Sequence, residues 1–368
     1  MTVGYELYKV MIKKKAIVLI ILGLIIKVFV LSFNSTAAFT LKGEESPVYR
    51  EYISTLAGEL NESKEEFILN EYDSLKQAQV DSEKVFSEYS SGEINYAEFN
   101  SRINYYKSIL EKQKEIEILY ARYLKAVENP DSTYFILQNG WNSLLSKSSP
   151  DFIMLIVLVL MITPVFCMDT DAQMLGILSC CENGRKKLCI SKILTGIILS
   201  ITVSVLFFFE EIIYYSLKYG LHNSSFPIQS ISQYEDSSYK LSLCQLSAIT
   251  SGNIIVGCVM LSLIVMSLSF ISEDTLSASF TGAAVILLSF FLFDGLDKYK
   301  LPLPMGFLIS TGYLQGVVRK RNFAIEQDIL SKEVYFRNLI LALIILALLC
   351  AVTIAIYTPK AKKRKLRN

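Results

Sequence analysis

DTDAQMLGILSCCENGRKKLCISK, Asp169 to Lys192, separates two runs apolar enough to cross a bilayer. It opens on carboxylates, continues as a half-apolar segment, and closes on Asn183-Gly184 followed by Arg185, Lys186 and Lys187. Met174, Leu178 and Cys181 fall on one helical stripe with Leu175 beside it, while Asp171, Gln173, Ser179 and Glu182 are polar. Such a helix can lie flat at a membrane surface and present a face to a cytoplasmic partner. An ordinary interfacial loop carrying positive-inside residues has the same pattern, so the neighbouring segments must decide between the two.

Those segments belong to an all-α membrane protein. The chain has 368 residues, 52% of them hydrophobic, with a formal net charge of +1. Its mean hydropathy of +0.39 exceeds that of ordinary soluble domains. Six segments approach the ~20 residues needed to cross ~30 Å of hydrocarbon: 16–33, 152–168, 189–209, 248–271, 276–293 and 338–357. Lys9, Lys13, Lys14 and Lys15 precede the first. Arg185, Lys186 and Lys187 lie between the second and third, and Lys360, Lys362, Lys363, Arg364, Lys365 and Arg367 follow the last. With six crossings all three clusters share one side, the cytoplasm, which holds both termini. The Asp169 stretch then belongs to a cytoplasmic loop, 169–188. The run 16–33 is longer than a usual signal-peptide core and reads as an uncleaved anchor.

One apolar stretch resists this scheme. LPLPMGFLISTGYLQGVV, 301–318, is broken by Pro302, Pro304, Gly306, Gly312 and Gly316. As a span it would export the basic tail 360–368, so a re-entrant element before the sixth span is expected, covered by protein rather than lipid.

The polar region 34–150 reads as a long extracellular insertion between spans 1 and 2, a helical hairpin with coiled-coil character. Tyr49, Ile53, Leu56, Leu60 and Phe67 form one heptad-like stripe. Tyr96, Phe99, Ile103, Tyr106 and Leu110, then Ile116, Tyr120, Tyr123 and Val127, form the other. Between them Gly92 breaks the helix, and Asn95 with Glu98 restarts it as a capping box. The domains are thus 1–33 (an interfacial segment and the first span), 34–150, a permease-like core 151–359, and the tail 360–368.

Catalytic signatures are missing from the sequence. No G-x-x-x-x-G-K-[ST] phosphate loop, G-x-S-x-G elbow or H-E-x-x-H helix occurs, and His222 is the one histidine. The seven cysteines, Cys180, Cys181 and Cys189 among them, poorly match zinc spacing and read as packing residues. No metal, no cofactor and no nucleic-acid partner are expected. The sequons at Asn34, Asn61 and Asn223 matter only in a eukaryotic source. Two features remain as a possible pathway or interface. Lys27 lies inside the first span, where an ammonium either finds a partner or snorkels outward. Glu210-Glu211 ends the third span, where interfacial solvation and substrate contact are both open.

Three stretches together resemble the permease subunits of ABC-2-type ABC transporters. They are the lead-in Glu6-Leu7-x-Lys9, the Asp169–Lys192 loop, and the six-span order with its exterior insertion and broken element before the last span. The resemblance implies that the loop is a coupling helix received by a groove on a separate ATPase. Asp171 is similar to the family's acidic position, Gly184-Arg185 to its turn, and Lys192 to the lysine opening the next helix; Met174-Leu175 stands where Gly-Thr is frequent. It further implies a non-enzymatic exporter subunit in the bacterial plasma membrane, pairing with itself or a second permease, with ATP and Mg bound by the ATPase. A membrane-anchored sensor or scaffold with a ligand-binding helical ectodomain is the alternative. The substrate is not legible.

Overall fold

A computed structural model describes residues 3–33, 46–130, 133–147, 149–171, 184–272, 274–292, 299, 301–315, 317–319, 327–329 and 332–364. Among the described residues the regular structure is helical apart from one short antiparallel pair, β1 (Val317–Arg319) with β2 (Gln327–Ile329), in which Val318 faces Asp328, and two isolated bridges. The chain divides into two compact units. The first holds Met1–Ser35, Lys147–Tyr214 and Ser247–Asn368; the second holds Thr36–Ser146 and Tyr215–Leu246.

Four helices among the described residues are long and apolar enough to cross a membrane: Ala16–Phe33, Lys186–Tyr219, Leu243–Ile271 and Lys332–Ala355. This is a multi-pass membrane protein. Two shorter apolar helices, Phe152–Cys167 and Thr275–Phe291, accompany them.

In the first unit, α1 (Val3–Tyr8) passes through a π turn (Lys9–Lys13) to Lys15, whose φ of 56° redirects the chain into α2 (Ala16–Phe33). Glu6 and Lys9 are both buried and paired at 3.3 Å, so the polar lead-in packs inward. Asp151 caps α8 (Phe152–Ile162) by accepting from the Met154 amide, and Pro164, at a helix start where no amide is needed, opens α9 (Pro164–Asp171). The long α10 (Gly184–Tyr219) runs antiparallel to α11 (Leu243–Ile271): Ser200 meets Ser262 at 2.5 Å, and a Cβ on Gly196 would collide with Met266. Thr163 meets Ser279 of α12 (Thr275–Leu292) at 3.0 Å while Phe152 packs on Phe290, so α8 and α12 are also antiparallel. Tyr335 and Thr353 of the last helix, α15 (Lys332–Arg364), pair with Asn253 and Ser267, which makes α15 parallel to α11. Small residues and hydroxyls at crossings suit helices that gain little from burying apolar surface against one another in lipid.

The broken stretch forms two single turns, α13 (Pro304–Leu308) and α14 (Thr311–Gln315), neither long enough to span. Both are buried. Gly257 lets α11 approach, since a Cβ there would lie 3.0 Å from the Pro304 carbonyl. Asn338 of α15 donates to Tyr299 O and Tyr313 Oη, and Thr311 Oγ1 both accepts from the Lys147 amide and donates to its carbonyl.

The second unit departs from a plain two-helix hairpin. The stripe beginning at Tyr49 breaks after α3 (Pro47–Leu56), because Gly58 adopts φ 105° and Asn61 caps a new helix, α4 (Glu62–Ser90). The return arm, expected as one helix, divides at 111–112 into α5 (Tyr96–Leu110) and α6 (Gln113–Glu128). The expected Asn95 cap is present, accepting from the Glu98 amide at 2.9 Å. Tyr49, Ile53, Leu56, Ile68, Leu75, Ile116, Leu119, Tyr123 and Phe135 form the core. The segment between the third and fourth apolar runs, 215–246, joins this unit. Arg122, 7% exposed, donates to the carbonyls of Ile136 and Ser230 at 2.8 and 2.6 Å. Tyr234 Oη reaches Leu145 O, and Trp141 Nε1, on α7 (Asn139–Leu145), reaches His222 O.

Candidate functional site

A membrane-spanning helix tolerates a lysine in its interior only if the ammonium reaches water or finds fixed acceptors. Lys27 is 3% exposed, which removes the first possibility. Its Nζ lies 2.8 Å from the Phe207 carbonyl, 3.0 Å from Glu211 Oε1 and 2.5 Å from Asp151 Oδ2. The Asp151 approach is an ion contact off the hydrogen-bond axis, since Oδ2 accepts no well-aligned donor. One carbonyl and two carboxylates therefore surround the ammonium. The Phe207 ring also lies 5.1 Å from Nζ, within cation–π range.

Each partner is placed by local structure. Asp151 is the N-cap of α8, its other oxygen bound to the Met154 amide, so the carboxylate is held by its own helix as well as by Lys27. Glu211 sits four residues beyond Phe207 on α10, which puts its side chain one turn above the carbonyl that Lys27 also uses. Gly23, one turn below Lys27, brings α2 close to both neighbours: a Cβ there would meet Val157 at 2.6 Å and Phe207 at 3.0 Å. A second ammonium, Lys147, pairs with Glu211 Oε2 and stands over the Phe208 ring at 5.6 Å. Lys147 is held through its backbone by Thr311, so the broken element 304–315 reaches the same group. Lys27, Lys147, Asp151 and Glu211, with Met154, Phe208, Ile254 and Leu308, line a small cavity.

The arrangement ties α2, α8 and α10 at one buried point by charge. The sequence marks Lys27 and Glu210-Glu211 but not what joins them. Glu211 is 5% exposed and doubly paired rather than solvated. Lys147 and Asp151 were missed. The signal for Asp151 was present, a carboxylate in SPDF before an apolar helix, which is an N-cap pattern. The signal for Lys147 was not, because its partners are 64 and 164 residues away.

The expected coupling residues stand elsewhere. Met174, Leu175, Leu178 and Cys181 lie outside the described residues. Asp171 ends α9 and Gly184-Arg185 begins α10, so the helices flanking the loop are in place. Lys192 is fully buried. Its Nζ donates to Val165 O at 2.5 Å and lies over the Phe166 ring at 5.2 Å. It therefore fastens the two stems of the loop to each other rather than facing outward. Leu188 and Cys189 are buried beside it, and Cys189 carries a free thiol.

No family model, curated protein or solved structure matches this chain.

Proposed function

We propose that the chain is the non-catalytic transmembrane subunit of an ABC-2-type transporter. It crosses the membrane six times and couples ATP hydrolysis on a separate ATPase to export of a substrate. The observation that carries this reading is the composition of the second unit, which joins 36–146 to 215–246. In this reading that compact body lies on one side of the bilayer, so the intervening chain leaves and returns to that side, crossing an even number of times. The helix Lys186–Tyr219 supplies one crossing, so the shorter Phe152–Cys167 supplies the other. With α9 it gives a helical run from Phe152 to Asp171 divided only at Thr163, about 30 Å at 1.5 Å per residue.

The same reading extends to the fifth helix. Leu243–Ile271 follows the second unit in the chain, and Thr311 bonds the broken element to Lys147 within the first unit. Thr275–Leu292 crosses in between, in keeping with its antiparallel packing on α8. In this reading there are six alternating crossings, with the second unit outside, both termini and the 169–188 loop in the cytoplasm, and 304–315 as a re-entrant element. This is the plan of the ABC-2 permeases, which pair as homodimers or with a second permease and receive a phosphate-loop ATPase at that loop. ATP and Mg would be bound by the ATPase. Buried Lys192, joining the stems of the loop, would transmit motion of the loop into α8 and α10.

Co-purification with any phosphate-loop ATPase encoded beside this chain tests the reading. The pair is expected to survive washing, to hydrolyse ATP, and to lose association when Leu178→Glu and Arg185→Glu are combined. Unchanged association and ATPase coupling in that variant would overturn the loop assignment. A cysteine introduced beside Arg321 should label from outside intact cells; labelling from the cytoplasm alone would overturn the six-span plan. The sensor or scaffold reading predicts no ATPase partner.

A further inference from the structure

Lys147 fills a place whose walls suit an ammonium, and its side chain is 15% exposed, the most of the four charged groups around the cavity. Its Nζ pairs with Glu211 Oε2 and stands over the Phe208 ring at 5.6 Å. A carboxylate oxygen and an aromatic face are the two elements that recognise a primary ammonium. Met154, Ile254 and Leu308 complete the lining with apolar surface, which suits an alkyl stem. Glu210, on the same helix as Glu211, does not line this cavity.

We propose that the cavity is a binding site for a primary alkylammonium, which enters by displacing the Lys147 side chain from Glu211 and Phe208. Lys27 is not the group displaced, because the Phe207 carbonyl, Glu211 Oε1 and Asp151 all hold it. Charge sets the sign of the ligand. Once Lys147 withdraws, Asp151 and Glu211 face Lys27 alone, and a monovalent cation restores the balance. The lining sets its kind. A bare metal ion needs several oxygen ligands. Here the carboxylate oxygens other than Glu211 Oε2 are engaged with Lys27 or the Met154 amide, and the rest of the wall is ring, thioether and aliphatic surface. An amine brings N–H donors for the carboxylate and a carbon chain for that wall.

The exchange has a mechanical consequence. The backbone of Lys147 stays on Thr311, whose Oγ1 accepts from its amide at 3.1 Å and donates to its carbonyl at 3.0 Å. With the side chain displaced, Lys147 and the broken element 304–315 lose their ionic tie to α10, while Lys27 still joins α2, α8 and α10. None of this depends on an ATPase partner or on the direction of transport.

Thermal unfolding of the full-length protein in detergent, with propylammonium as the probe, provides the test. Lys147→Ala keeps the β-carbon, so the space it vacates is that of propylammonium. The amine should raise the midpoint of Lys147→Ala saturably, by a few degrees, and propanol and propionate should not. The wild type should need roughly tenfold more amine, because its tethered lysine competes at high effective concentration. Adding Phe208→Leu to Lys147→Ala should weaken the response. No saturable rise in Lys147→Ala, an equal rise with propanol, equal sensitivity in the wild type, or an undiminished response after Phe208→Leu overturns the proposal. If Lys147→Ala does not fold alone, its preparation in propylammonium decides: a monodisperse, helical product supports the site, and aggregation rejects it.

Discussion

The two units bury cations in opposite ways. In the first, Lys27 sits among apolar helices and is matched by two carboxylates and a carbonyl. In the second, Arg122 is almost as buried but is satisfied by two carbonyls and the Tyr49 hydroxyl, all neutral. A guanidinium is weakly hydrated and spreads its charge over a planar fork, so neutral acceptors suffice where some water remains close. An ammonium is a compact point charge, and where the surroundings are lipid and apolar side chains it needs countercharge. The difference extends to the remaining polar groups. The bundle joins its helices by hydroxyl pairs such as Ser200–Ser262 and Ser267–Thr353. The other unit places carboxylates at its rim, where Tyr52 donates to Glu71 and Tyr123 to Glu65.

This comparison can be broken most directly at Lys27. Lys27→Met leaves Asp151 and Glu211 buried without their shared cation, and a loss of about 3–5 kcal/mol is expected, seen as a collapsed thermal midpoint in detergent. Adding Glu211→Gln should recover part of it; no recovery would mean that charge is not what matters. Arg122→Leu should cost less, about 2–4 kcal/mol, because it strands carbonyls rather than charges. Limited proteolysis of 46–146 in the full chain should report it, with the membrane helices protected. Gly23→Leu tests packing alone: its Cβ would overlap Val157, and about 1–3 kcal/mol should be lost.

Two smaller effects concern the second unit. Burial, and then the hydrogen bond to Glu71, raise the Tyr52 hydroxyl above its ordinary value of 10.0. A group whose folded value is raised supports the fold fully below its unfolded value and loses that support as pH climbs through the folded one. The second unit should therefore weaken above about pH 10, the free-tyrosine value, and Tyr52→Phe should flatten that alkaline slope. Proteolysis rates across an alkaline series would show this. The exposed pairs of Arg102 with Glu88 and Glu98 should matter least: Arg102→Ala is expected to change stability by less than about 0.5 kcal/mol.

What was legible in the sequence follows from the range of the forces involved. Apolar runs and caps are local, so the six hydrophobic segments and the Asn95 restart could be read directly. The break at Gly58 was also local, but its stripe of Tyr49, Ile53 and Leu56 continued in phase to Leu60 and concealed it. Lys27 could be flagged because a lone charge in an apolar run is conspicuous. Its partners could not be named, since Asp151 and Glu211 are 124 and 184 residues away and only the packing of α2 against α8 and α10 selects them. The joining of 215–246 to 36–146 was hidden for the same reason: backbone carbonyls such as Ser230 O carry no sequence signature.

That last contact bears on how the protein is made. Arg122 emerges from the ribosome long before Ser230, with a chain separation of 108 residues that includes two apolar helices. Until the later segment is delivered, a buried guanidinium lacks one of its acceptors and the second unit lacks Ile228, Ile231 and Tyr234, all buried in the finished fold. Its maturation is thereby tied to completion of the membrane helices in between. A nascent chain halted before residue 228 should remain open to protease across 46–146, whereas one released after 246 should close.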